Sequence, residues 1–342
     1  MDMKYRSLFL TTAALALLSA CSGDSLTGDD GTQQPQQPIS LVSQLTGAQT
    51  RGALDDDAAL TRLQSTQIAE GEKVYAWVED NDGSASTAYI DAWSLEAQGD
   101  GTFLASTQYY PATGDNVDIY CIHGNFGTVL SGGFPTASLS HTVAANQSSE
   151  VAYLKSDLLY GSVQNQGRRD KQPIVFKHKL AKIEVKLKVG EGLTAPQLAN
   201  GSSTVTILGT KNIATYTPAK SAARAAGGSI ATYGGTVVAS GAETEILMYM
   251  QRETDETATI AVFGEAIIVP QSISPTANFI KIHTASGGDM YAKLGGTADK
   301  VFEAGKKYVY TVTVSLSGIS LISTITDWAD GTGDDINADI DK

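Results

Sequence analysis

The sequence predicts an all-β protein, two β-sandwiches in tandem behind a leader and a polar tether. Three observations predict it. Val, Ile, Thr and Tyr gather in short alternating runs with Gly, Asn, Asp and Ser between them. No stretch sustains a helical period, and no repeat of about 20 to 50 residues recurs, which disfavours a solenoid. The 342 residues, of which 42% are hydrophobic and 18% charged, suffice for two cores of ordinary size.

The chain opens on a leader. Lys4 and Arg6 precede a short apolar run from Leu8 to Leu18, broken only by Thr11 and Thr12, and Leu18-Ser19-Ala20-Cys21 closes it. The run is too short to span a bilayer as a helix and ends in small residues, so it reads as a removable signal. The closing residues look like a bacterial lipobox, in which cleavage precedes the cysteine and Cys21 takes the lipid. Residues 22–38 hold Ser, Gly, Asp, Thr, Gln and Pro with almost nothing apolar, the composition of a disordered tether. Removing residues 1–20 takes the formal charge from -13 to -14, because one acid and two bases leave. So acidic a chain is not expected to bind nucleic acid or anionic headgroups by charge.

Strands follow in order. In 39–45, Ile39, Leu41 and Leu45 share one face. Lys73-Val74-Tyr75-Ala76-Trp77-Val78 is a strand and Asn81-Asp82-Gly83 a turn. Residues 117–123 alternate again and contain Cys121, read as a small buried hydrophobe. In 174–189, Ile174, Phe176, His178 and Leu180 hold one parity, whereas Ala181, Ile183, Val185, Leu187 and Val189 hold the other, with Lys182, Glu184, Lys186 and Lys188 between. One strand cannot bury both sets on the same face, so a bulge or sharp bend is predicted near Leu180-Ala181, of the kind that carries a strand from one sheet to another. Tyr308, Tyr310, Val312, Val314 and Leu316 line a long strand, and Gly318 splits it from a last strand over 319–328. Short helical turns are expected at 156–160 and after Thr194, where Pro196 sits near the first helical position. The polar break 164–170 divides the chain into 39–168 and 169–342, after a signal peptide at 1–20 and a lipidated tether at 21–38.

Chemistry is sparse. There is no nucleophile elbow, zinc-protease, phosphate-loop or dinucleotide motif, so an enzyme is not expected. The Gly-Gly pairs have no helix to follow them and read as turns. Four histidines lack ligand spacing, and with Cys21 lipidated Cys121 has no partner; neither metal, cofactor nor disulfide framework is expected. Asp55-Asp56-Asp57 lacks the spacing of a calcium loop and reads as solvated. Trp77, Trp93, Tyr89, Tyr109 and Tyr110 are the residues from which a sugar platform would be built, although strand aromatics are more often core.

Several segments together resemble the fimbrillin family, the pilins of the type V pili of Bacteroidales. They are Thr50-Arg51-Gly52-Ala53 ahead of Gly71-Glu72-Lys73-Val74, Tyr109-Tyr110-Pro111 followed by Val117-Asp118-Ile119-Tyr120, and Phe176-Lys177-His178-Lys179-Leu180-Ala181-Lys182-Ile183. Ile268-Val269-Pro270-Gln271, Phe302-Glu303-Ala304-Gly305-Lys306-Lys307-Tyr308 and Ile325-Thr326-Asp327-Trp328-Ala329-Asp330-Gly331 complete the series. The resemblance implies two transthyretin-like β-sandwich domains and a lipidated precursor carried to the outer membrane. An arginine-specific protease then removes the first strand, and a strand from another pilin subunit fills the groove.

Residues here can carry that scheme. The strand of Ile39, Leu41 and Leu45 leads into a Gly, Ala, Gln and Thr loop ending at Arg51, so cleavage there starts the mature chain at Gly52; Arg62 is the rival site. The segment with Ile319, Leu321 and Ile325 on one face and Ile322 and Trp328 on the other is the candidate donor strand, with a plain edge strand as its alternative. The expected function is a structural fimbrial subunit contributing to adhesion, partnered by other pilins, the protease and the outer membrane. The alternatives are a pilus tip or anchor that keeps its lipid, or a surface glycan-binding lipoprotein.

Overall fold

The computed structural model describes residues 36–45, 68, 70–84, 86–169, 173–221, 232–285 and 288–327. The described residues are nearly all β, in four sheets with two short helices, and fall in one compact unit. The first sheet has seven strands: β1 (Ser43–Leu45), β2 (Lys73–Asn81), β3 (Ser86–Ala97), β4 (Phe103–Leu104), β5 (Asn116–His123), β7 (Leu159–Gln166) and β8 (Ile174–His178), in the order β1-β8-β7-β5-β2-β3-β4. The second holds β10 (Thr204–Pro218), β11 (Gly235–Leu247), β15 (Asn278–Thr284) and β16 (Gly288–Lys293), with β6 (Leu139–Thr142) also paired to β10. The third holds β12 (Tyr249–Arg252), β13 (Ile260–Ile268), β9 (Ala181–Val189), β18 (Lys306–Ser315) and β19 (Gly318–Asp327), in that spatial order. A ribbon of β14 (Gln271–Ile273) and β17 (Lys300–Phe302) completes them.

The first sheet is covered on both faces, which explains its near-continuous apolar strands. Val74, Ala76 and Val78 of β2, Val117, Ile119 and Cys121 of β5, and Ile174 and Phe176 of β8 pack with Ile39, Leu41, Ile68, Trp93 and Tyr110. Tyr75, Trp77, Tyr120, Ile122 and Tyr160, of opposite parity, join a larger core with Ile183, Val185, Leu187, Val205, Ile207, Phe279, Ile282, Tyr310 and Val312 from the other sheets.

The predicted bend near Leu180-Ala181 is a change of sheet. β8 ends at His178 in the first sheet, and β9 starts at Ala181 in the third. The residues between are tied on both sides: Lys179 N–H donates to the Leu158 carbonyl, and Gly305 N–H to the Leu180 carbonyl, each at 2.8 Å. The Lys179 ammonium, fully buried, donates to the carbonyls of Tyr233 at 2.5 Å and Gly235 at 3.0 Å. Burial pushes its pKa down to about 7. The break at 164–170, by contrast, connects β7 to β8, which are hydrogen-bonded neighbours in one sheet.

Some local expectations shift. The helix expected over 156–160 stands earlier, as α1 (Glu150–Lys155), where Ser149 caps it by accepting from the Ala152 N–H. Thr194 does open a helical turn, α2 (Ala195–Leu198), with the Gln197 side chain accepting from the Thr194 N–H at 2.9 Å. Leu316 is not on the face of β18; it lies in the tight connection to β19 and is 73% exposed. Of the alternating charges of β9, Lys188 is exposed, whereas Lys182, Glu184 and Lys186 are buried. Lys182, Glu184 and Glu265 are fully buried, with Lys182 Nζ 2.5 Å from Glu265 and 3.1 Å from Glu184. The segment leading into α1 lies over them, where buried Gln147 clasps Ile267 by accepting its N–H at 2.9 Å and donating to its carbonyl at 2.8 Å.

Candidate assembly site

The segment Gln37 to Leu45 sits between β8 and the stretch 101–110 that flanks β4, and joins them. On one side β1 runs parallel to β8, with Ser43 opposite Ile174 and Leu45 opposite Phe176. On the other, Pro38 bridges Tyr109 and Val42 bridges Thr102, both antiparallel. The backbone is bonded along its length. Ile39 N–H donates to the Gln108 carbonyl at 2.8 Å, Ser43 N–H to that of Gly101 at 2.7 Å, Tyr110 N–H to that of Gln37 at 3.0 Å, and Ile174 N–H to that of Val42 at 2.8 Å. The paired segment thus begins at Gln37, ahead of Ile39.

Its side chains alternate. Ile39, Leu41 and Ser43 are buried, while Ser40 and Val42 are exposed. Ile39 and Leu41 complete the core under β2, β5 and β8, and the Ser43 hydroxyl donates to the Gly101 carbonyl at 3.2 Å. Each buried aliphatic side chain is worth about 1.5 to 3 kcal/mol. Without this segment, β8 and residues 101–110 would face each other with open backbone groups over an apolar trough. Arg168 braces the seam: its guanidinium donates to the Pro111 carbonyl, and its own carbonyl accepts from the Gln37 side chain.

The other expected site residues fall apart from this seam or outside the described residues. Cys21, Arg51, Gly52, Arg62 and Trp328 lie outside them, as does the side chain of Leu45. Among the described residues β19 is an edge strand paired with β18, its inward face formed by Ile319, Leu321, Ser323 and Ile325, with Ile322 exposed. Trp77 and Trp93 are buried, their indole N–H groups donating to the carbonyls of Gly132 at 2.9 Å and Ser106 at 3.0 Å. With Tyr110 buried too, only Tyr89 and Tyr109 of the five candidate platform aromatics are exposed. Cys121 is fully buried and its thiol pKa is pushed up by burial.

Two features of the seam escape a sequence reading. Residues 101–110 hold β-formers in Thr102, Phe103, Thr107, Tyr109 and Tyr110 but no regular alternation of apolar and polar residues, and nothing local names the first segment as their partner. Ser43 shares the parity of Ile39 and Leu41, and that parity was the available clue to its burial.

Residues 61–328 match the sequence pattern described as fimbrillin-like. The chain belongs to the fimbrillin-like family. A candidate fimbrium subunit, Fim1C of Bacteroides uniformis, is similar to this fimbrillin-like chain, 25% identical over 344 residues that cover 97% of each protein. Among solved structures, a candidate cell adhesion protein from Bacteroides uniformis matches 84% of this chain and 98% of its own, with a TM-score of 0.54 at 22% identity. A second, from Bacteroides ovatus, matches 87% and 100%, with a TM-score of 0.56 at 13% identity. These two likenesses concern the fold, and they span nearly the whole of each solved chain.

Proposed function

We propose that this chain is a structural subunit of a surface fimbrium, contributing to adhesion and assembled by strand replacement. Membership of the fimbrillin-like family and the likeness to a candidate fimbrium subunit support a pilus subunit. The single observation that carries the assembly scheme is the seam: one short segment at the start of the fold is hydrogen-bonded on both sides and fills an apolar trough. In this reading the precursor is exported and lipidated on Cys21 at the outer membrane. An arginine-specific protease cuts after Arg51, releasing the leader with residues 37–45. The vacated trough then takes a strand from another subunit, because the empty seat exposes both apolar surface and unpaired strand edges. The burial of Trp77 and Trp93 weighs against the glycan-binding alternative.

Sequencing the N-terminus of the subunit in sheared fibres tests the scheme. A start at Gly52 is expected, and Arg51→Ala should stop incorporation. Fibres whose subunits begin at lipidated Cys21 would overturn it in favour of an anchor that keeps its leader. A start after Arg62 would move the cut and leave the scheme intact.

A further inference from the structure

We infer that Gln37 is held in a latch built on Arg168, and that this latch keeps the first segment seated after the chain is cut, so that cleavage and release are separate steps. The inference rests on the strand-replacement reading above and concerns only the leader that leaves.

A closed ring of hydrogen bonds surrounds Gln37. Its carbonyl accepts from the Tyr110 N–H at 3.0 Å. Its side-chain amide donates to the Arg168 carbonyl, and the Arg168 guanidinium reaches across to donate to the carbonyl of Pro111, the residue after Tyr110. The ring therefore runs from the Gln37 backbone through Tyr110, Pro111 and Arg168 back to the Gln37 side chain. A second link supports it: buried Gln166 donates a side-chain N–H to the hydroxyl of buried Tyr110 at 3.3 Å.

Two of these links, Arg168 to Pro111 and Gln166 to Tyr110, lie wholly within the part of the chain that stays after a cut at Arg51. They fasten the end of β7 to residues 110–111 without the leader, so the frame of the latch does not depend on its guest. Gln37 is the one leader residue in the ring. It stands before Pro38, and a residue before proline is confined to the extended region, so it enters the latch with little backbone freedom left to lose.

The arrangement is polarised. Arg51 lies beyond Leu45, so a cut there frees the Leu45 end of the segment, whereas the latch grips the opposite end. Peeling starts beside β8, where Ser43 to Leu45 are paired, and finishes at Gln37. Ile39 and Leu41 hold the segment by burial, and the latch adds a polar grip at the last point to let go. Arg168 is thus a positioning residue: its guanidinium braces the turn whose carbonyl receives Gln37.

The test follows the leader after cleavage. The full chain, in dilute solution, is treated with an arginine-specific protease. Native mass spectrometry then follows the molecules cut once, after Arg51 or Arg62, and reads the fraction that still holds the leader. Gln37→Ala leaves the remaining body unchanged once the leader has gone, and should release it about three- to tenfold faster, the effect of losing one net hydrogen bond. Arg168→Met should do the same, and adding Gln37→Ala to it should change the rate little further, because one ring serves both. Arg169→Met, at the exposed neighbour, should leave the rate as it is. Equal rates in every variant would overturn the latch and leave cleavage and strand replacement standing. So would effects of Gln37→Ala and Arg168→Met that simply multiply, or a wild-type leader that departs as fast as it is cut. A full chain that the protease cuts at neither Arg51 nor Arg62 would overturn both the latch and the reading it rests on.

Discussion

The His141 ring accepts a hydrogen bond at Nδ1 from the Asn125 N–H at 2.8 Å. That contact fixes the tautomer: the proton sits on Nε2, which donates to the Ser156 carbonyl at 3.0 Å. A second proton would have to enter on Nδ1, against an N–H already pointing at it.

Burial holds the His141 pKa down at about 4, against 6.5 for a free histidine. As pH falls from 6.5 toward 4 the unfolded chain takes up a proton that the folded chain refuses. Stability therefore declines through that window, by about 3 kcal/mol when complete. Urea unfolding at a series of pH values should show the decline, and His141→Gln should flatten it while costing some stability at neutral pH.

The first segment should be sensitive on one face only. Leu41→Ala removes a side chain that is 8% exposed and packed under β2 and β8. It should cost about 2 kcal/mol or more. Val42→Ala, on the outward face, should cost less than about 0.5 kcal/mol. Thermal melts of the uncleaved chain compare the two; equal costs would show that the segment is not seated by alternation.

The buried charges of β9 and β13 should behave as a unit. Glu265→Leu alone takes from Lys182 the nearer of the two carboxylates beside it, and is expected to cost about 3 to 5 kcal/mol. Lys182→Met with Glu265→Leu removes one charge of each sign and should recover most of that loss. The interaction energy of the double-mutant cycle measures the coupling.

Gly234 should tolerate no side chain. Its φ of 73° is one that other residues rarely adopt, and a methyl there would run into the Tyr160 ring. Gly83 shares the positive φ, at 84°, but opens onto empty space. Gly83→Ala should therefore cost only about 1 kcal/mol for its backbone, and Gly234→Ala several times more. Chemical denaturation of both variants separates strain from collision.

The all-β class was legible because it is written in local alternation. The change of sheet at Lys179-Leu180 was legible too, since a switch of parity within one apolar run has few physical solutions. What could not be read was which polar residues lie inside. Lys182 and Glu184 alternate with apolar residues as a solvent-facing set would, and it is the covering segment near Gln147 and Tyr153, distant in sequence, that buries them. The position of α1 carried a usable signal, Ser149 before Glu150, but the run is short enough for the later Ser156 to compete with it. At the seam, the alternation of Ile39 and Leu41 gave the strand and its inward face. Its neighbours are set by chain topology, which no spacing within 37–45 records.

The seat of the first segment also orders events in time. Its parallel neighbour is β8, beginning at Ile174, and its other neighbour is the stretch from Gly101 to Tyr110. As the chain is made, residues 37–45 meet their antiparallel neighbour only when Gly101, 58 positions beyond Ser43, has followed, and their parallel neighbour β8 later still. Non-local closures of this kind come late and slowly in folding. The first of the described strands is therefore among the last to be paired on both sides.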